Sequence, residues 1–495
     1  MILIKSAQII DGTGKPPFKG DILIKDNRIS AIGNFADKKA DTIINGSGYI
    51  IAPGFIDVNT SSDHYLSLFN NPKQKDFLIQ GVTTIIGGQC GSSLAPLYSG
   101  SLKSVRRWGR IHQVNVDWTT ISELRDTLKR LGLGVNFGTL VGHSTMRHEI
   151  AGEESRDLTA SEMDVFKKIL EDSLDDGALG MSTGLGHVLS QTVSHSELKR
   201  LLVIIANKGK VYTTHLRDEF ENIVSATEEA LIIAKESGVP TIISHLRPAI
   251  GYEDKFKEAF ELIEKNLDKG NIYFDTNPFD VNVVPVDMML PKWIQHGNFE
   301  VILEELNKEE NQKRLIKDFK NSKINLDSLI IAGAKDNSII VGKTLKEFSK
   351  NRGVDSYYGF IKLMQITGVH ALVFRENINM DILREIMFHP RALVGSNSAS
   401  LKYSAEFLKP ERTTNTFPKY LHMAMDKKIP LEESIRKITS LPAKIFGIKE
   451  RGIIREGWYA DLVMLKDNKV TNVLINGKSV VKDRVIKEVL AGDII

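Results

Sequence analysis

Cysteine is almost absent from this chain of 495 residues, in which Cys90 is the single one. One cysteine excludes an intramolecular disulfide, so we expect a reducing compartment and a fold that depends on its hydrophobic core. Long apolar runs are also missing, since no stretch approaches the roughly 20 residues that cross a bilayer. The amino terminus has no apolar core behind a basic stretch, so it predicts no secretory signal. We therefore expect a cytoplasmic protein that acts without a membrane.

A large excess of charge of either sign is lacking as well. The chain has 65 Lys and Arg against 62 Asp and Glu, which gives a formal net charge of +3. This balance argues against a nucleic-acid-binding protein that relies on a strong basic field. The 42% of hydrophobic residues is typical of a folded globular protein. At roughly 100–200 residues per domain, the length allows two to four domains, or one large barrel with attachments.

The two ends of the chain share a β-rich pattern. Short apolar runs, such as residues 21–25 and 460–465, alternate there with turn-forming Gly, Asn and Asp. Because both ends show this pattern, we predict that residues 1–50 and 446–495 pair into one small β-sandwich domain.

Residues 51–445 alternate between apolar runs and helical patterns. The runs are rich in Val, Ile and Thr, as parallel strands buried on both faces are. Eight runs separated by helical stretches predict an α/β fold with a (β/α)8 TIM barrel. The runs are residues 49–57, 83–88, 135–142, 178–183, 211–215, 240–245, 272–277 and 392–397.

One interval within this pattern is too long for a single strand–helix unit. The interval from Asn277 to Asn397 is about four times as long as that from His215 to His245. We therefore predict an insertion after the seventh strand, at about residues 280–350, which includes a charged helix.

Three side chains that suit zinc close predicted strands of the barrel. Cys90 follows the second strand, His215 ends the fifth and His245 ends the sixth. Catalytic groups of such barrels lie at the carboxyl ends of the strands. Thiolate and imidazole are good zinc ligands, and three protein ligands plus a water describe a catalytic site. From these residues alone, two hydrogen-bonded histidines and a buried thiol remain an equally good interpretation.

Motifs along nearly the whole chain resemble those of the N-acyl-D-amino-acid deacylases (D-aminoacylases), a family of the amidohydrolase superfamily. The resemblance implies hydrolysis of a linear amide C–N bond and one tightly bound zinc ion held by Cys90, His215 and His245. It also implies a barrel with a split sandwich. The matching segments are residues 52–57, 80–84, 90–96, 141–145, 177–185, 214–219, 243–245, 416–418, 441–447 and 452–463.

Other positions of the family pattern are substituted in this chain. The resemblance implies a weaker second metal position, formed by a His-x-His pair and an aspartate. Asn59 and Ser61 replace the pair, and Asn397 replaces the aspartate. In the family this aspartate moves the proton from water to the leaving amine, and an amide cannot act as that base. The loss of a general base typically costs about 10²–10⁴ in rate.

Substrate-binding positions and a substitute base follow from the same comparison. Asn277 stands where the family has an oxyanion-stabilising tyrosine, and Arg412 aligns with the arginine that holds the substrate carboxylate. His143, which closes the third strand, is a further substrate-binding candidate. His64 and Asp63 are candidates for a substitute base, although a structural role is commoner for such residues.

Three functions remain open from the sequence. The first is a hydrolase that cleaves a small N-acyl amino acid with one zinc-activated water. The second is an inactive relative that keeps the metal site and binds a small carboxylate ligand or stabilises a partner. The third is another reaction in the same pocket, such as an isomerisation or a lyase step. The sequence leaves the oligomeric state open.

Overall fold

The computed structural model of the chain describes residues 1–495 except 36, 100, 101, 103, 104, 106–113, 153–155, 188, 189, 191, 269, 296–298 and 335. The strands within these residues are β1 Ile2–Ile9, β2 Phe18–Lys25, β3 Arg28–Gly33, β4 Thr42–Asn45, β5 Ile50–Pro53, β6 Phe55–Asp57, β7 Val82–Gly87, β8 Asn136–Thr139, β9 Val141–Gly142, β10 Gly180–Gly184, β11 Val211–His215, β12 Thr241–Ile243, β13 Ile272–Thr276, β14 Val281–Pro285, β15 Ile330–Gly333, β16 Leu372–Glu376, β17 Ala392–Val394, β18 Leu462–Lys466, β19 Lys469–Ile475, β20 Lys478–Lys482 and β21 Val485–Ile486. The α-helices are α1 Ser67–Asn70, α2 Lys75–Leu78, α3 Ile121–Leu131, α4 His143–Ala151, α5 Ala160–Asp175, α6 His195–Asn207, α7 Ile223–Ser237, α8 Glu253–Lys265, α9 Phe299–Asn307, α10 Glu309–Asn321, α11 Leu345–Lys350, α12 Ser356–Ile366, α13 Met380–Ile386, α14 Arg412–Asp426, α15 Leu431–Lys437 and α16 Ser440–Ile445.

Helix boundaries follow local capping chemistry. Thr159 accepts a hydrogen bond from the backbone N–H of Glu162, whose side chain returns one to the Thr159 backbone, so that α5 begins there. The charged helix predicted in the insertion is two helices, α9 and α10, because the backbone at Lys308 between them is extended. No helix in the described part of the chain is both long and apolar enough to cross a membrane.

Strands from both ends of the chain lie in one nine-stranded sheet. Its order is β21-β20-β19-β18-β5-β1-β2-β3, and β4 pairs with β1. The two ends meet where β5 and β18 pair antiparallel, with Ala52 opposite Val463. Ile4, Ile22 and Leu462 are among the buried side chains of a hydrophobic cluster on this sheet. The two ends of the chain therefore associate, as the shared β-rich pattern predicts.

The parallel strands of the middle segment follow one another in chain order. The sheet β6-β7-β8 continues through the adjacent strand β9 into a second sheet that contains β9 to β13 and β17. A parallel bridge between Thr60 and Ser398 then brings the chain after β17 next to the chain after β6. Ile86, Val211 and Leu393, each from a different strand, belong to one buried cluster. Since the strands are parallel, their carboxyl ends lie together on one side of the fold.

The segment between β13 and β17 has a sheet and a hydrophobic cluster of its own. The antiparallel sheet has the order β14-β16-β15 and extends to Glu376, beyond residue 350, where the predicted insertion ends. Val286, Phe360 and Val373 are buried in its cluster. The spacing of apolar runs did not indicate this extent because β14 and β16 pair across about 90 intervening residues.

Candidate metal centre and substrate cavity

Cys90, His215 and His245 converge at the carboxyl ends of β7, β11 and β12. One potential ligand atom from each lies within 4.8 Å of the others, and Cys90 Sγ is 3.4 Å from His245 Nε2. The two imidazole rings are perpendicular within 10°, with centroids 4.5 Å apart. One thiol and two imidazoles at such distances are a donor set that fits zinc, with a fourth position left open.

The backbone is strained at two of these three residues. Cys90 has φ 52° and His245 has φ 40°, in the left-handed region that few residues other than glycine adopt. Each such conformation costs about 1–3 kcal/mol and persists only where the surrounding fold imposes it. Beside Cys90, the Gly91 N–H donates a hydrogen bond to Ser182 Oγ at 2.9 Å. Beside His245, the Leu246 N–H donates a hydrogen bond to the Asp275 carbonyl at 2.8 Å.

A glycine in the same turn allows a close approach between two strands. Gly88 has φ 72°, and a Cβ at this position would collide with the carbonyl oxygen of Leu140. Only glycine therefore fits two residues before Cys90, where the chain after β7 passes the Leu140 carbonyl between β8 and β9.

Glu219 fixes the protonation state of one candidate ligand. Its Oε1 is 2.8 Å from His245 Nδ1, and because a carboxylate only accepts, Nδ1 carries a proton, so Nε2, which lies towards Cys90, is the nitrogen that would bind a metal. Burial by itself would raise the pKa of Glu219, but the neighbouring histidines outweigh burial and lower the pKa to about 2. The same histidines lower the pKa of the Cys90 thiol to about 6 against the opposing effect of burial, which favours the thiolate.

A cavity of about 320 Å³ opens beside these residues. Its apolar wall comes from the insertion and contains Val283, Val284, Pro285, Met288 and Met289. Most of the site residues predicted from the sequence line this cavity, namely Ser61, His64, Cys90, His215, His245, Asn397 and Arg412. Asn59, Asn277 and His143 are not among its lining residues.

The segments after β6 and β17, which carry the substituted metal positions, are hydrogen-bonded to each other. The Asn397 N–H donates to the Asn59 carbonyl at 2.8 Å. The side chain of Asn59 points elsewhere and donates to both carboxylate oxygens of Asp275, at 3.2 and 3.1 Å. Burial raises the pKa of Asp275 to about 6, although His245 and Asn59 favour its ionised form. Within the described residues, Cys90 and the two histidines are the one group of three or more Cys, His, Asp or Glu placed to hold a metal.

His64 lines the cavity, and one of its ring nitrogens is hydrogen-bonded to the backbone. Its Nε2 is 3.0 Å from the carbonyl oxygen of Ser92, which can only accept, so Nε2 carries the proton. The neutral ring therefore has its lone pair on Nδ1. Asp63 is turned away and accepts a hydrogen bond from the Gly88 N–H at 2.6 Å, so it supports the turn before Cys90.

Arg412, at the start of α14, is a buried guanidinium without a partner for two of its nitrogens. It is 6% exposed, and its Nε and Nη1 have no hydrogen-bond partner within the described residues. Burial and the nearby charge of Arg247 lower the pKa of Arg412 to about 9. A carboxylate would satisfy such a group with paired, charge-assisted hydrogen bonds.

Arg247 is a cavity residue that sequence reasoning missed. It lies two residues after His245 at the same strand end, and that position is the signal that could have indicated it. Its Nη1 is 3.5 Å from Asn277 Oδ1, and its Nη2 donates to Asn282 Oδ1. Asn277 is fully buried and does not line the cavity, but it contacts Arg247, which does.

His143 lies away from the cavity. It begins α4, is fully buried, and its Nε2 is 2.7 Å from Glu197 Oε1. Its ring also packs against Phe166 of α5, with centroids 5.2 Å apart. The position at a strand end did not reveal this orientation, because a helix starts at His143 itself.

Known proteins share both the sequence and the fold of this chain. D-aminoacylase from Alcaligenes xylosoxydans xylosoxydans is 30% identical to it over 473 residues, which cover 94% of this chain and 87% of that protein. The chain belongs to the N-acyl-D-amino-acid deacylase family. The resemblance identified from the sequence motifs is thus confirmed. The model of the amidohydrolase family also matches residues 373–480 of this deacylase-family chain.

Two solved structures show how closely the family fold is retained. One is a structure of D-aminoacylase, whose binuclear metal centre is described by one-metal activation and second-metal attenuation. It is 26% identical to this chain with a TM-score of 0.80, and the match covers 100% of this chain and 99% of that one. The other is N-acyl-D-glutamate deacylase from Bordetella bronchiseptica in complex with zinc and a phosphonate inhibitor. Its TM-score is 0.83 at 24% identity, and the match covers 100% of this chain and 98% of that one. The α/β fold of this protein is therefore that of the amidohydrolases.

Proposed function

We propose that this protein hydrolyses the amide bond of N-acyl-D-amino acids with one zinc ion held by Cys90, His215 and His245. The observation that carries this proposal is the meeting of these three ligands and the unpaired Arg412 in one cavity. A metal ligand set and a carboxylate-binding cation in one cavity suit an N-acyl amino acid, whose amide lies close to its carboxylate.

The proposal includes the architecture that holds this site. The ring of parallel pairings, joined by the Thr60–Ser398 bridge, is consistent with a closed (β/α)8 barrel. The nine-stranded sheet from both ends would fold over as the family's split sandwich, and the insertion would be an attachment to the barrel. The site then lies at the carboxyl ends of the barrel strands, where such enzymes place their catalytic groups.

The residues of this chain bind the substrate at its carboxylate. Arg412 donates two parallel hydrogen bonds to the α-carboxylate, and Arg247 adds a second positive charge beside it. This contact holds the carboxylate in place, and the covalent structure of the substrate then sets how far from Arg412 the amide carbon lies. A zinc ion bound to the three ligands supplies Lewis acidity, which polarises a carbonyl group and makes a water molecule more acidic.

His64 replaces the missing aspartate as the proton carrier in this mechanism. Its Nδ1 accepts a proton from the attacking water and delivers it to the leaving nitrogen when the C–N bond breaks. One water is consumed, and the products are a carboxylate and a protonated amine, since the second proton of the water also ends on the leaving nitrogen. Glu219 keeps the proton on His245 Nδ1 during this cycle. Asn397 contributes no proton transfer.

A second candidate function is a catalytically inactive relative that retains the metal and binds a small carboxylate ligand. It is favoured by Asn397 at the position of the family base and by the Asn59 side chain, which bonds to Asp275. Under this alternative, His64 is a structural residue whose bond to Ser92 fixes a loop.

Metal analysis tests the metal centre. About one zinc per chain in the native protein, and none in Cys90→Ala, supports the site. No metal in either protein would refute the one-zinc hydrolase.

Hydrolysis of N-acetyl-D-amino acids distinguishes the two candidate functions. The proposed enzyme is active, and His64→Gln lowers its rate by about 10²–10⁴ while zinc content stays unchanged. Activity that appears only in Asn397→Asp would instead identify the inactive relative. Native activity that survives His64→Gln would remove His64 from the mechanism.

A further inference from the structure

The cavity contains more positive charge than one substrate carboxylate requires. Arg247, Arg375 and Arg412 all line it, and Glu219 is the sole acidic side chain among its lining residues in the described part of the chain. Glu219 is already bonded to His245 at 2.8 Å. None of the three guanidinium groups forms an ion pair with the described residues. A concave site with such an excess attracts ligands with more than one negative charge.

Arg375 belongs to the insertion and not to the parallel strands. It lies in β16, where it pairs with Asn282 of β14. Its guanidinium carbon is 5.8 Å from the centre of the Phe220 ring, which also lines the cavity. Burial lowers the pKa of Arg375, and within the described residues its guanidinium has no hydrogen-bond partner. Arg375 is therefore a partly desolvated cation that lines the cavity and has no negatively charged partner among the described residues.

Arg375 and Arg412 reach the cavity from different elements. Arg375 lies in β16 of the insertion, whereas Arg412 begins α14. Asn282 accepts a hydrogen bond from Arg247 and is the cross-strand partner of Arg375, so both arginines adjoin this residue. Cationic groups from two different elements match a ligand with two negative charges better than a ligand with a single carboxylate.

We propose that Arg375 binds a second carboxylate, so that the preferred substrates are N-acyl amino dicarboxylates. This inference rests on the proposed function, in which the first carboxylate binds Arg412 and Arg247. A neutral side chain would leave Arg375 desolvated and unpaired, whereas a carboxylate would accept charge-assisted hydrogen bonds from it. The insertion then determines the substrate side chain, and the strand ends determine the chemistry.

The apparent affinities of two matched ligands for the zinc-loaded protein test the second subsite, measured as KM where a ligand is hydrolysed and by calorimetry where it is not. N-acetyl-D-glutamate and N-acetyl-D-glutamine differ by a carboxylate and an amide of similar shape. We expect the native protein to bind the glutamate derivative roughly 10- to 100-fold more tightly. Arg375→Gln should abolish this preference and leave the affinity for the glutamine derivative nearly unchanged. The variant should also keep its unfolding midpoint, because the side chain has no bonded partner among the described residues.

Lys323→Gln is the matched control. Lys323 lies 4.5 Å from the ring of Tyr252, a cavity residue, but donates to the Gly251 carbonyl and does not line the cavity. Its loss should leave the preference intact, which separates direct binding from a general field effect.

The outcomes of this experiment distinguish the inference from the proposed function. Equal affinities in the native protein, no binding of either ligand, or a preference that survives Arg375→Gln would overturn the inference. A preference for the glutamate derivative without hydrolysis would support the subsite and refute the hydrolase. Hydrolysis of both derivatives without a preference would support the proposed hydrolase and refute the second subsite.

Discussion

Replacement of Arg412 by methionine should stabilise the ligand-free protein while it abolishes carboxylate binding. An arginine ordinarily has a pKa above about 12, and burial with the charge of Arg247 lowers that of Arg412 to about 9. At about 1.4 kcal/mol per tenfold change in proton affinity, the fold disfavours the charged side chain by roughly 5 kcal/mol. Methionine fills a similar volume without charge, so we expect a gain of about 1–4 kcal/mol, as for other buried ions replaced by apolar residues.

Thermal unfolding in a buffer free of carboxylate and phosphate measures this effect. The midpoint of Arg412→Met should rise by a few degrees above that of the native protein. Addition of an N-acyl amino acid should raise the native midpoint but leave that of the variant unchanged, because only the native protein binds the carboxylate.

The control for this substitution is Arg217→Met. Arg217 donates to both carboxylate oxygens of Glu229, at 3.0 and 2.8 Å, so its loss should lower the midpoint. If Arg412→Met lowers the midpoint as much as Arg217→Met, Arg412 has a partner and the reasoning fails.

Three further predictions concern the metal centre and its support. Glu219→Gln should weaken zinc binding about 10- to 100-fold, measured by competition with a chelator, and unchanged affinity would contradict its orienting role. The Asn397→Asp variant should fold normally, because aspartate also tolerates the φ of 47° at this position. If the protein is an inactive relative, this variant should raise hydrolysis above background. If it is the proposed enzyme, the rate of hydrolysis should change little. Gly88→Ala should lower the denaturant midpoint and the zinc content together, because its Cβ meets a backbone oxygen. Gly209→Ala also has a positive φ but open space around it, so it should cost only about 1 kcal/mol and leave zinc unchanged.

The convergence of Cys90, His215 and His245 was predictable because strand order in such a fold follows the chain. Parallel strands place their carboxyl ends together, so residues that end neighbouring strands meet whatever their separation in sequence. The association of the two chain ends was predictable for a similar reason, since both carry strands with edges that need partners. The helix α5 could be located from its Thr159–Glu162 capping box.

Side-chain direction at those same strand ends was not predictable. His143 and His215 both end predicted strands, yet His143 is paired with Glu197 and His215 lines the cavity. Whether a polar side chain bonds within the core or faces a ligand depends on which distant residue offers it a partner. Asp63 was a candidate base from sequence, and its bond to Gly88 gives it a supporting role.

The sequence by itself determined the family, the order of the strands and the set of candidate metal ligands, because these follow from local patterns and from motif positions. Only the tertiary structure decided the charge of the cavity. Arg375 lies in an insertion whose sheet is closed by a non-local strand pairing, and nothing near it in sequence indicates a site. Its lack of a carboxylate partner, like that of Arg412, is a property of the whole fold, since burial and pairing depend on every segment packed around the group.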